Sequence, residues 1–358
     1  MRNIHKVLPF ALLINAFSFS IGISGEQPVP QTIKPVQDEG KFLVYGDFLW
    51  WRADANDMPL AIREEVQVGS SPIVEKKMIG LNGKWDPGFR VGAGYHFGFY
   101  DKLDLLLTYT RFHGESKYVS ESENSLGTTL LRQTWIPFLG PVAFAASGQW
   151  KTGLDTGDIE IARNFNSSNH LSFRPHAGVR LAWIDYKYQA NYTGVWVNPI
   201  DTTVQTQDTS MSASSAFNAG GLRAGSQFLW KFCQNLGLFG DISSALLYGH
   251  FKVHETFNGA DDLEAPTLIS LTERFKEDMN GVRVNLEVLL GVKGWIDFCD
   301  HYRFSLFAGY ELSEWFRVNE LFQVVRSFDP NDNASFSTIY SSNDIGFQGF
   351  TLKAGLDF

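Results

Sequence analysis

Hydrophobic and polar residues alternate one for one along several stretches of ten or more positions. From Phe89 to Gly98, the residues Phe89, Val91, Ala93, Tyr95 and Phe97 share one face, and Arg90, Gly92, Gly94, His96 and Gly98 share the other. From Leu171 to Trp183 the apolar set is Leu171, Phe173, Ala177, Val179, Leu181 and Trp183, opposed by Ser172, Arg174, His176, Gly178 and Arg180. From Asn280 to Lys293, the residues Val282, Val284, Leu286, Val288, Leu290 and Val292 oppose Arg283, Asn285, Glu287 and Lys293. A period of two is the signature of a β-strand, whose successive side chains point to opposite faces. Weaker alternation marks Phe42–Trp51, Leu103–Phe112, Leu154–Arg163, Gly220–Trp230, Leu236–Tyr248, Tyr302–Trp315 and Phe350–Phe358.

The connections sort by length. Short links are expected at Phe99–Lys102, Asn164–His170, Lys231–Asn235 and Phe298–His301, and long ones near 53–84, 113–149, 187–216, 251–279 and 317–345. Strict alternation of short and long is the arrangement of periplasmic turns and extracellular loops in a transmembrane antiparallel β-barrel. The pattern therefore predicts an all-β barrel of about 10–12 strands spanning residues 41–358, with both of its ends in the periplasm. Extra strands within Gly194–Val204 or Phe138–Trp150 would make it wider. A core of Gly, apolar residue, Arg and apolar residue recurs at Gly88–Gly92, Gly178–Leu181, Gly221–Gly225 and Gly281–Val284, a weak repeat consistent with hairpin units.

Composition narrows the setting. Only 19% of the 358 residues are charged, against 44% hydrophobic and 15% aromatic, below the roughly 25% charge of an average soluble protein. Past the N-terminus no run approaches the ~20 apolar residues of a membrane-spanning helix, so a membrane location requires a closed barrel, the other fold that satisfies every backbone group in lipid. Residues 1–24 read as a secretory signal: Arg2, His5 and Lys6 begin it, an apolar stretch from Val7 to Phe17 follows, and Gly22, Ser24 and Gly25 are the small residues near a cleavage site. Residues 25–40, with Pro28, Pro30 and Pro35, read as a periplasmic lead-in. The net charge of -9 argues against nucleic acid as a partner.

Parity assigns candidate chemistry. A charge on the lipid face would cost roughly 2–4 kcal/mol at the midplane, so Arg90, Arg180, Arg223 and Arg283, with Asp47, Asp104, Asp241, Glu287 and Glu311, are expected to line the lumen. They either form a charged constriction that selects solutes or pair with one another and plug a narrow barrel. Phe350, Leu352, Ala354, Leu356 and Phe358 form one face of the final strand, which resembles the signal recognised by the barrel-assembly machinery through edge pairing. Trp50, Trp51, Tyr95, Tyr109, Trp150, Trp183, Trp230, Tyr248, Trp295, Tyr310 and Trp315 suit interfacial belts. Cys233 and Cys299 fall in expected periplasmic turns, where a bridge between hairpins, a cross-link to envelope proteins or two free thiols all stay open. Catalysis and metal binding find little support: Asp300-His301 sits in a turn away from any cleft, and His250 and His254 lie at a strand end. No cofactor is expected.

The segments Phe48-Leu49-Trp50-Trp51-Arg52-Ala53, Trp85-Asp86-Pro87-Gly88-Phe89-Arg90-Val91-Gly92 and Thr108-Tyr109-Thr110-Arg111-Phe112 resemble the Legionella-type pore-forming major outer-membrane protein family, which also occurs in Chlamydia-like bacteria. The resemblance implies an abundant surface porin with a further role in host contact or envelope rigidity. Members of cross-linked envelopes often carry many cysteines; this chain has two. The expected function is passive diffusion of small hydrophilic solutes or ions through a charged lumen. The alternative is a non-conducting surface barrel whose loops contact host or envelope proteins, or other copies of itself. Ten strands with a salt-bridged interior would favour the alternative, and fourteen or more a channel.

Overall fold

The computed structural model describes residues 41–358 except 56–58, 68–72, 98–102, 123–128, 135–142, 169, 198–203, 265–266, 299–301 and 329–333. The expected signal and lead-in, the Phe99–Lys102 turn, Cys299 and Asp300-His301 lie outside the described residues. Every described element is a strand: β1 (Lys41–Ala55), β2 (Pro59–Gln67), β3 (Ile73–Gly80), β4 (Trp85–Phe97), β5 (Leu103–Glu115), β6 (Val119–Ser122), β7 (Thr129–Gln133), β8 (Ala143–Arg163), β9 (Phe165–Asn166), β10 (Leu171–Val197), β11 (Val204–Cys233), β12 (Leu236–Glu264), β13 (Thr267–Phe298), β14 (Tyr302–Phe328) and β15 (Ala334–Asp357).

Ten of these close a ring of antiparallel pairs in the order β1, β4, β5, β8, β10, β11, β12, β13, β14, β15 and back to β1. They are the ten stretches that alternate in sequence. Gly194–Val197 and Ala143–Trp150 prolong β10 and β8 instead of adding strands to the ring. Closure leaves the ring without an edge, and the lipid face carries Phe42, Val44, Phe48, Val91, Leu107, Val179, Leu181, Leu222, Leu246, Val282, Leu306 and Leu352, all exposed.

The long strands β10 and β12 invert their sidedness part-way up. On β10 the outer positions run Phe173, Val179, Leu181 and Trp183, then change to Asp185, Lys187, Gln189 and Asn191. The inner positions change the other way, from His176 and Arg180 to Ile184, Tyr186, Tyr188, Ala190 and Tyr192. On β12 the outer Ile242, Leu246 and Tyr248 give way to Lys252 and His254, while Phe251, Val253 and Phe257 point inward. Below the switch the strand is surrounded by lipid outside and polar groups inside; above it, water lies outside and a dry core inside. The 14 residues of β10 beyond Trp183 extend roughly 45 Å along the strand. The connections expected as long loops are thus largely β-hairpins that continue the wall.

The extracellular interior is packed. Trp51, Trp150, Trp315, Phe112, Phe217, Phe251, Phe257 and Phe347 are fully buried there, with Leu60 and Ala61 from β2. Adjacent Trp50 and Trp51 cannot share a face, and neither Trp51, Trp150 nor Trp315 belongs to an interfacial belt; Trp295 also points inward. A glycine makes one close approach possible: a Cβ on Gly249 would lie 2.4 Å from the ring of Phe217, which stacks on Phe251 at 4.2 Å between ring centres. The hairpin of β14 and β15 adds to this block. Pairing of β14 to β13 stops at Phe316, whereas β13 follows β12 almost to its tip. At the departure point Arg317 adopts a left-handed φ of 57°, and the next five residues, Val318 to Phe322, are all buried.

Candidate functional site

The lumen has three levels, and the expected inward residues occupy them in order. At the periplasmic end Asp104 accepts from Arg174 Nε at 2.8 Å and from Asn164 Nδ2 at 3.0 Å, and lies 2.5 Å from His96 Nδ1. Arg303 pairs with Asp297 at 2.6 Å. Among these groups lies a cavity of about 280 Å³ whose wall includes His96, Arg174, Lys293, Arg303, Lys353 and Asp357.

The middle level is a network of ion pairs. Arg90 donates to Glu311 at 2.7 and 3.2 Å, to Asp47 at 3.3 Å and to Thr110 at 2.9 Å. Arg180 forms a two-pronged pair with Asp158 at 2.7 and 2.9 Å and another with Glu287 at 2.6 and 2.9 Å. Arg223 donates at 2.8 Å to Glu287 Oε2, the oxygen that also accepts from Arg180, and pairs with Glu160. Asp241 accepts from Gln227 at 2.8 Å. Planar guanidinium groups suit this task because each can hold two carboxylates in fixed geometry. Sequence reading missed Asp158 and Glu160, although both alternate with outward Ile159 and Ile161. A second cavity of about 70 Å³ remains among these groups.

Two tryptophans seal the network from above. The Arg90 guanidinium carbon lies 5.6 Å from the ring centre of Trp51, and that of Arg180 lies 5.8 Å from Trp315. Arg283 stands higher than the other three inward arginines. It stacks at 4.6 Å on Phe251, donates to the backbone carbonyl of Arg317 at 2.5 Å and pairs with Glu320, so it ties β13 to the inturned hairpin. Glu255 on β12 does the same from another side, accepting the backbone N–H of Phe322 at 2.8 Å. The hydroxyl of Tyr192 donates to the carbonyl of Leu60 at 2.6 Å and fixes β2 in the mouth.

The remaining expected residues are dispersed. Phe350, Leu352 and Phe358 are exposed on the outer face of β15, with Leu356 partly so. The backbones of Phe358 and Phe42 exchange two hydrogen bonds, at 2.7 and 2.8 Å. Cys233 is an exposed free thiol. His250 shares a hydrogen bond with Asn280 at 2.9 Å, and among the described residues no three His, Cys, Asp or Glu side chains group as metal ligands.

Among solved structures, the outer membrane protease OmpT of Escherichia coli matches at 8% identity and a TM-score of 0.35, over 92% of this chain and 99% of that one. A FadL homologue of Pseudomonas aeruginosa matches at 10% identity and a TM-score of 0.26, over 90% of each chain. The toluene transporter TodX of Pseudomonas putida matches at 9% and 0.25, over 89% of each. Likenesses this distant carry no functional inference. No curated protein matches the chain. The family described as Legionella pneumophila major outer membrane protein precursor matches residues 35–358. With a closed ring, an apolar outer belt and that match over nearly its whole length, the chain is an outer-membrane β-barrel and belongs to the Legionella major outer membrane protein family.

Proposed function

We propose that this protein is a surface barrel with a closed lumen, a scaffold anchored in outer-membrane lipid that presents its β-structured extracellular extension to envelope or host molecules. The observation that carries this reading is the filled interior. A ring of eight strands is just wide enough for its own side chains to fill, and here ten strands enclose the Arg90, Arg180 and Arg223 network, an aromatic block and an inturned hairpin. Opening a path would separate buried ion pairs, each worth about 3–5 kcal/mol when one partner is lost. The reading assigns no catalysis to the barrel. Planar-bilayer recording of the refolded chain tests it: a silent membrane is the expected result, and steady stepwise conductance would overturn it.

The second reading is a porin for small hydrophilic solutes or ions. It is favoured by the two cavities, which share Tyr45, Leu106, Gln227, Phe239 and Lys353 as wall residues and so lead from the periplasmic end into the ion-pair level. Conduction would then follow outward swinging of the β14–β15 hairpin at Arg317. Should conductance be recorded, Arg223→Glu and Arg283→Glu are expected to shift selectivity towards cations; unchanged reversal potentials would remove both residues from the path.

A further inference from the structure

The periplasmic vestibule is unlike the network above it, because its cations are not all matched. Arg174 has Asp104, and Arg303 has Asp297. Lys353 lies over the ring of Tyr45 at 3.4 Å and reaches Asp47 only at 4.0 Å, while Asp47 is already shared with Arg90. Lys293 has no hydrogen bond or ion pair among the described residues; its ammonium stands 5.7 Å from the ring centre of Phe239.

The strand register puts these two lysines at one height. Lys293 is opposite Phe307 on β14, and Phe307 is opposite Lys353 on β15. Two inter-strand steps separate their backbones by roughly 10 Å, a gap that two long side chains can close on a single oxyanion. The cavity of about 280 Å³ lies between them and also takes in Arg303 and a single wall carboxylate, Asp357. Lys293 is five residues and Lys353 four from the periplasmic ends of their strands, Phe298 and Asp357, so the space is reached from the periplasm and not through the sealed upper lumen. An ammonium held in a partly desolvated chamber without a hydrogen-bonded counter-charge is costly, and an anion that enters from solution reduces that cost.

We propose that the periplasmic vestibule is a binding site for a small phosphate-type oxyanion, held between Lys293 and Lys353 with Arg303 as the third donor. The shared chemistry is a tetrahedral dianion with several acceptor oxygens, which three separate N–H groups can meet at once. The site is independent of whether the lumen conducts.

The experiment is calorimetric titration of the refolded full-length protein in a non-ionic detergent, with inorganic phosphate in one arm and glycerol phosphate in the other, at constant ionic strength set by chloride. Saturable binding in either arm is expected, weakened at least tenfold by Lys293→Gln and by Lys353→Gln. Asp357→Asn removes the competing wall carboxylate and is expected to tighten binding at least threefold. Heat-modifiable mobility in gels reports whether each variant is folded. If a lysine variant does not fold, Asp357→Asn decides, and unchanged affinity there overturns the site. Absence of saturable binding in both arms, or wild-type affinity in folded Lys293→Gln and Lys353→Gln, also overturns it.

Discussion

Arg180 and Glu287 meet through two hydrogen bonds of 2.6 and 2.9 Å although their strands, β10 and β13, are separated by two others in the ring. The pair therefore spans a chord of the lumen and ties non-adjacent parts of the wall. Arg180 is only 2% exposed, so removing Glu287 leaves it with Asp158 as its remaining charged partner in a poorly solvated place. Arg180→Ala and Glu287→Ala are each expected to destabilise the barrel by about 3–5 kcal/mol. The double variant should lose clearly less than the sum, because each single change already removes one of the other group's two charged partners. Urea unfolding in detergent, followed by tryptophan fluorescence, measures the cycle; strict additivity would show that the two residues do not act as a unit.

Glu255 gives a pH dependence. It lies above the apolar belt, is 1% exposed, and has Oε2 without a hydrogen-bond partner among the described residues. Burial pushes its carboxyl up to about 7 from an ordinary 4.5, opposed in part by the Phe322 N–H. Between those two values the folded protein keeps a proton that the unfolded chain has released, so stability falls as pH rises through that window and is level on either side. The full difference is on the order of 3 kcal/mol. Glu255→Gln keeps the acceptor for Phe322 and is expected to abolish that slope, with higher stability than wild type at pH ~8. Thermal unfolding at intervals from pH ~5 to ~8 reads it; an equal slope in the variant would assign the dependence to other groups.

Phe358 and Phe42 close the ring. Their backbones pair, and their rings stack at 6.1 Å. We expect Phe358→Ala to lower the yield of closed barrel inserted by the barrel-assembly machinery several-fold, while barrels that do form keep wild-type thermal stability within about 1 kcal/mol, since the side chain is a surface one. Heat-modifiable protein in outer-membrane fractions measures the first quantity. A normal yield would separate ring closure from assembly.

The ten wall strands were legible in the sequence because lipid outside and polar groups inside impose a simple alternation, as at Phe89 to Gly98. Parity likewise put Arg90, Arg180, Arg223, Asp47, Glu287 and Glu311 on the inner face without any three-dimensional information. The upper halves were harder. At Trp183-Ile184 two large apolar residues are adjacent, which interrupts alternation in composition while the strand itself continues unbroken. The same cause made Trp51 look like a belt residue beside Trp50. The inturned hairpin left no periodic trace, since Val318 to Phe322 is buried on both faces and presents five interior residues in a row. Register was also out of reach: which carboxylate meets which arginine depends on strands as distant as Arg90 and Glu311, 221 positions apart.

The inversion along β10 has a mechanical consequence. Sliding the barrel outward by one pleat would lift Trp183 into water, and sinking it by one would draw Asp185 below the surface, where a charge costs up to about 1 kcal/mol near the interface and more with depth. Because the same change of side recurs on β12, the penalties on the two strands act together. The switch is a waterline written into the strands. It fixes how far the barrel rides above the membrane and resists tilting under load on the extracellular extension.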